Sequence, residues 1–219
     1  MAAILERHIP TLADMWERLG GIPLERILYE PVPGTATEED VVRLFEREKL
    51  LCELVDGVLV EKPIGYKESA VAAFLIRMLQ EFAERDGLGV VTGEAGMMHL
   101  APNLVRIPDV SIVLWRQLPG HEIPAEPIPH LTPDLAVEVL RKSNTPAEME
   151  RKIGEYFAAG TQYVWIVDPA GRSVTIYSSP TTSTTMTGDG LVEAPSVLPG
   201  FNISAEEIFR RAGLRQPST

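Results

Sequence analysis

The chain has a single cysteine, Cys52, so no internal disulfide can form; a reducing compartment is expected, with Cys52 read as a small buried hydrophobe. No apolar run approaches the roughly 18 residues that a membrane-spanning helix needs. The opening "MAAILERHIPTLADMWERLGG" breaks its apolar residues with charges too early for a signal peptide. Both features point to the cytoplasm. Basic residues are in deficit: 20 Lys and Arg against 31 Asp and Glu leave a formal net charge of −11. Such a field repels polyanions at long range and excludes non-specific coating of nucleic acid through a broad basic surface. A local basic groove stays open, and carboxylates that bind divalent cations fit the balance, although solvated surface accounts for most of the excess.

Several catalytic signatures are missing as well. There is no G-x-S-x-G elbow and no P-loop. His8, His99, His121 and His130 are scattered without zinc-ligand spacing and read as surface or loop residues. Gly87, Gly89 and Gly93 follow a helix pattern with the wrong spacing for a dinucleotide fingerprint, and read as a helix stop and a turn.

What is present is an ordinary globular composition, 45% hydrophobic and 23% charged over 219 residues, enough for one substantial core. Residues 1 to 36 read as an N-terminal arm or extension, with a short helix at "LADMWERL" and a proline-bearing stretch that links or wraps. Residues 37 to 219 read as a single domain. Within it, Thr37 caps a short helix with acids in its first turn. "LCELVDGVLVEKP" folds back at Asp56-Gly57 as a hairpin over about 51 to 61. Val71, Phe74, Leu75, Met78, Leu79 and Phe82 trace one face of an amphipathic helix. "GVVTGEAGMMHL" and "RIPDVSIVLW" are strand-like, and proline-rich 116 to 133 is a loop. "PDLAVEVL", a helix capped by Thr145 with Pro146 and Glu148 in a capping-box arrangement, and "QYVWIVDP" then form a βαβ unit. "RSVTIYSS" returns as an antiparallel neighbour, "SSPTTSTTMTGDG" reads as a polar turn region, and a short helix capped by Ser204 closes the chain.

The chemistry-bearing residues are acids on strands. Glu138 stands between Val137 and Val139, and a buried carboxylate is costly unless it is paired or coordinates a metal. Asp109 is set in a similar pattern before Val110, Ile112 and Leu114. If the two strands are neighbours, both carboxylates lie close together, and hard oxygen ligands are what Mg²⁺ or Mn²⁺ prefers. On the following helix Lys152 lies at the margin of the stripe Met149, Ile153, Tyr156 and Phe157, where a lysine can bury its stem and aim its ammonium at the sheet. Beside two carboxylates it can orient an attacking water or stabilise charge on phosphate while the metal activates that water. Each residue alone reads as a solvated strand acid or a surface lysine. Without metal, Glu138→Leu is expected to fold at least as stably as wild type.

"ELVDG" (53 to 57), "IPDVSIV" (107 to 113), "PDLAVEVL" (133 to 140), a lysine before "EYFAAGTQYVWIVDP" (155 to 169) and a late "LPGF" (198 to 201) resemble the Uma-two restriction endonuclease family of the PD-(D/E)XK nuclease superfamily. The resemblance covers about residue 35 to the C-terminal helix. It implies an α+β, restriction-endonuclease-like core with a mixed central sheet flanked by helices. It also implies a Mg²⁺- or Mn²⁺-dependent endonuclease acting on nucleic acid, with DNA as the expected substrate and a homodimer as a common state. Asp109 takes the place of the aspartate of "PD" and Glu138 that of the second acid. Where the superfamily pattern has lysine, this chain has Leu140, so Lys152 is the migrated replacement, with Arg141 and Lys142 less well placed. Glu53 is an additional metal ligand or a neighbouring acid, or simply a hairpin residue. "GYKES" stands where many relatives begin a helix with histidine. The competing reading is a nuclease-fold protein without catalysis that serves as a binding or assembly module; a structural oligomer is a weaker third.

Overall fold

In the computed structural model, residues 11–63 and 65–214 are described. The first ten residues of the arm, His8 among them, lie outside these. The elements in chain order are α1 (Leu12–Arg18), α2 (Glu38–Glu48), β1 (Cys52–Val55), β2 (Val58–Glu61), α3 (Tyr66–Arg85), β3 (Gly89–Gly93), β4 (Met98–Ala101), β5 (Leu104–Arg106), β6 (Val110–Leu114), β7 (Leu135–Val139), α4 (Pro146–Ala159), β8 (Tyr163–Asp168), β9 (Ser173–Ser179), β10 (Thr182–Thr187), β11 (Leu191–Val192), β12 (Ile203–Ser204) and α5 (Ala205–Arg211). No helix among the described residues is long and apolar enough to cross a membrane.

The fold is α+β. A six-stranded sheet runs β10-β9-β8-β7-β6-β3, and a four-stranded sheet runs β2-β1-β5-β4. Only the β7–β8 pair is parallel in the larger sheet, bridged by α4 as the βαβ pattern requires. Period-two alternation separates the two faces of β7. Leu135, Val137 and Val139 join Val71, Leu75 and Leu79 of α3 and Ile208 and Phe209 of α5 in the main core. Ala136 faces the other way, into a cluster with Met149, Ile153 and Tyr156 of α4.

The hairpin turns at Asp56 and Gly57, both with positive φ (52° and 74°), as a two-residue turn between twisted strands demands. Gly57 is doubly fixed, because a Cβ there would come within 2.6 Å of Gly34 O. The arm wraps this hairpin: Leu28 N–H donates to Leu59 O, and Gly34 and Ala36 N–H both donate to Gly57 O. Leu19 and Ile22 bury against Val55, Val58 and Val60.

Three local expectations change. The polar stretch after residue 179 is no simple turn region, since β10 pairs along β9 from Thr182 to Thr187. Its β-branched threonines suit an exposed edge strand that has no apolar face to betray it. "GVVTGEAGMMHL" divides into β3 and β4, which belong to different sheets. Thr145 does cap α4, accepting from Glu148 N–H at 3.0 Å, but the Glu148 carboxylate turns to Arg26 at 2.7 Å instead of closing a capping box.

Candidate active site

Strand register brings the two acids together. β6 and β7 pair antiparallel through Val110–Val137, Ser111–Ala136 and Ile112–Leu135, and one step further in that register Asp109 stands opposite Glu138. Asp109 Oδ2 accepts the Val139 N–H at 2.7 Å, which locks the two positions across the strand ends. The larger sheet thus presents Asp109 and Glu138 side by side, both deeply buried, at 1% and 4% exposure.

The cations come from elsewhere. Lys152 and Tyr156 are one helical turn apart on the buried face of α4. Lys152 Nζ lies 2.9 Å from Glu53 Oε1 and 3.3 Å from Glu138 Oε1, and Tyr156 OH donates to Glu138 Oε1 at 2.7 Å. Lys152 therefore stands between β1 of the smaller sheet and β7 of the larger. Glu53 also binds Arg106 Nη1 at 2.6 Å and accepts Ile107 N–H at 3.2 Å, so both of its oxygens are engaged. At the other end Asp109 is held by Lys62 Nζ at 2.9 Å and by Arg141 Nη2 at 3.1 Å. An open cavity of about 500 Å³ reaches Arg141, with Leu140, Ile166 and Tyr177 in its wall.

These neighbours set the charge states. Burial alone would raise the Glu53 carboxyl, but Lys152, Arg106 and Lys62 hold it well below the usual carboxylate range. Asp109 is likewise lowered, because Lys62, Arg141 and the Val139 N–H outweigh its desolvation. Glu138 goes the other way. Burial pushes it up, Asp109 and Glu53 add repulsion, and Lys152 and Lys62 only partly compensate. Lys152 is raised despite its burial by Glu138 and Glu53, so it stays an ammonium. Burial and Glu138 push Tyr156 well above its ordinary value, which keeps its hydroxyl protonated as a donor. Cys52 lies outside this network, its thiol pushed up to about 12 by burial and nearby acids.

All four residues singled out from the sequence are therefore in one place: Glu53, Asp109, Glu138 and Lys152. Sequence reasoning passed over Lys62 and Arg106. Tyr156 was visible only as part of an apolar stripe, and Arg141 only as a less well placed alternative to Lys152.

The family model Uma2, described as "Putative restriction endonuclease", matches residues 38–206. The chain belongs to the Uma2 family. Every residue of the cluster named above lies inside the Uma2 match, and the arm lies outside it. Among solved structures, a "putative nuclease belonging to DUF820" from Anabaena variabilis superposes with a TM-score of 0.67 at 22% identity, covering 74% of this chain and 91% of that one. Its likeness shows that the Uma2 chain shares the fold of that protein. No curated protein matches.

Asp109 and Glu138 are the two hard oxygen donors that a divalent metal would take here, in exchange for their present Lys62, Arg141 and Lys152 partners. Mg²⁺ commonly takes one or two carboxylates and completes its shell with water and substrate phosphate. The donor set fits that pattern, and no cage of three or more His, Cys, Asp or Glu side chains occurs among the described residues.

Proposed function

We propose that this Uma2 chain is a metal-dependent endonuclease of the PD-(D/E)XK type, hydrolysing phosphodiester bonds of DNA. The observation that carries the reading is the juxtaposition of Asp109 and Glu138 at paired strand ends, with the Lys152 ammonium 3.3 Å from Glu138. Asp109 and Glu138 are the residues that would hold Mg²⁺ or Mn²⁺, and such an ion supplies Lewis acidity and a water of lowered pKa.

The chain's own residues do the rest. Lys152 stays protonated, and its charge would stabilise a phosphate oxygen on which negative charge develops. Tyr156 fixes the Glu138 carboxyl by donating to Oε1, and Glu53 fixes Lys152 from the opposite side. The migrated lysine thus has support from both sheets. Because the net charge is strongly negative, binding of DNA must rely on local cations such as Arg141 and Lys142 rather than on the overall field.

A second reading, a nuclease-fold binding module without catalysis, is favoured by one observation: each carboxylate of the site already carries a cationic partner. Incubation of supercoiled plasmid and of single-stranded, duplex and branched DNA with Mn²⁺ separates the two. Cleavage by wild type that is lost in folded Glu138→Gln and Lys152→Met supports the endonuclease. DNA binding without cleavage of any of these substrates overturns it in favour of the module.

A further inference from the structure

Lys62 plays no part in the mechanism above, yet it is one of the most deeply buried charges of the chain, its side chain 2% exposed. It follows β2 directly, and its ammonium touches two groups, Asp109 Oδ1 at 2.9 Å and the Ile107 carbonyl oxygen. An oxygen of a carboxylate and a neighbouring backbone carbonyl are what a small hard cation would also take. The rest of Asp109 is committed too, Oδ2 to Val139 N–H at 2.7 Å and to Arg141 Nη1 at 3.3 Å.

The charge count points the same way. Asp109, Glu138 and Glu53 are three carboxylates in contact with four cations, Lys62, Arg106, Arg141 and Lys152. Among these buried contacts no surplus negative charge waits for a divalent ion, and in a buried site uncompensated charge is expensive. A phosphodiester brings negative charge of its own. A lysine, with a flexible stem and a compact ammonium, can move from a carboxylate to a phosphate where a guanidinium fork on two partners cannot do so as freely.

We propose that Lys62 is an internal counter-cation that keeps the Asp109 site closed to metal until a nucleic-acid phosphate draws its ammonium away, so that metal and DNA bind this chain cooperatively. The proposal rests on the metal-dependent reading. Linkage makes it reciprocal: the factor by which DNA tightens metal binding is the factor by which metal tightens DNA binding. Lys62 is here a positioning residue, and its effect is read in binding rather than turnover.

The test is Mn²⁺ titration by calorimetry on wild type and Lys62→Met, each with and without an uncleavable phosphorothioate DNA duplex. Alone, Lys62→Met should bind Mn²⁺ about tenfold or more tightly than wild type. The duplex should tighten wild type by a similar factor and Lys62→Met far less. Equal affinities for the two proteins, or equal tightening by the duplex, would overturn the role of Lys62 and leave the metal-dependent reading intact. Absence of Mn²⁺ binding by both proteins, with and without duplex, would remove that reading and this proposal together. Should Lys62→Met fail to fold, Lys62→Gln carries the same comparison, and an unchanged wild-type affinity on adding duplex overturns the proposal by itself.

Discussion

The backbone N–H of Val139 donates to Asp109 Oδ2 at 2.7 Å, so the residue immediately after one acid of the site holds the other acid in place. The site is consequently part of the sheet's own hydrogen bonding, and its residues bear on stability as well as on chemistry.

Asp109→Asn tests this directly. It removes the charge facing Lys62 and Arg141; Arg141 keeps Glu94, but the buried Lys62 ammonium loses its carboxylate, a loss on the order of 3 to 5 kcal/mol when one partner of a buried pair is deleted. Urea denaturation should show it. A variant as stable as wild type would mean that Asp109 contributes little to the fold.

Glu138→Leu is expected to destabilise, opposite in sign to the expectation from sequence. Without a view of its partners, deleting an acid from a crowded site favours stability. In the structure the carboxyl accepts from Tyr156 OH and Lys152, and leucine leaves the buried hydroxyl unpaired, at about 1 to 3 kcal/mol. Glu138→Gln, which keeps an acceptor, should lose less; thermal melts of both variants decide the order.

Glu148 gives a pH-dependent prediction. Burial would raise its carboxyl, but hydrogen bonds from Arg26 and Asn144 and the charge of Lys152 bring it below the usual range. A carboxyl lowered in the folded state stabilises above its unfolded pKa, about 4.3, and that contribution fades as pH falls through the folded value. The stability gap between wild type and Glu148→Gln should be full at neutral pH and shrink in acid below about pH 4. A gap independent of pH would contradict the ion pair.

Gly20→Ala should destabilise strongly. Gly20 has φ +84°, and a Cβ there would fall 2.4 Å from Glu148 N, so both the backbone region and the space are wrong for alanine. A loss of roughly 1 to 3 kcal/mol is expected, measurable by denaturant titration.

Much of this site was legible because strands advertise themselves. An acid in an alternating apolar run, Asp109 before Val110 and Glu138 between Val137 and Val139, is visible at period two, and Thr145-Pro146 announces the helix that delivers Lys152. What pairs with what was not visible. Lys62 follows a hairpin and precedes Pro63, a context that reads as an exposed strand end; only the tertiary fold, which brings the end of β2 against Ile107 and Asp109, buries it. Arg106 was hidden in the same way, because β5 and β6 are nearly continuous in sequence but enter different sheets. β10 escaped because serine and threonine carry turn and edge-strand signals alike.

The arm has a reach beyond wrapping. Arg26 holds the Glu148 carboxylate, and Thr145 Oγ1 donates to Gly20 O at 2.5 Å, so the first turn of α4 is braced by residues that precede the family match. Four residues after Glu148, the same helix presents Lys152. The position of that lysine is thus set in part by Gly20 and Arg26, which precede the residues that match the family model, so the arm bears on the proposed site without lying in it.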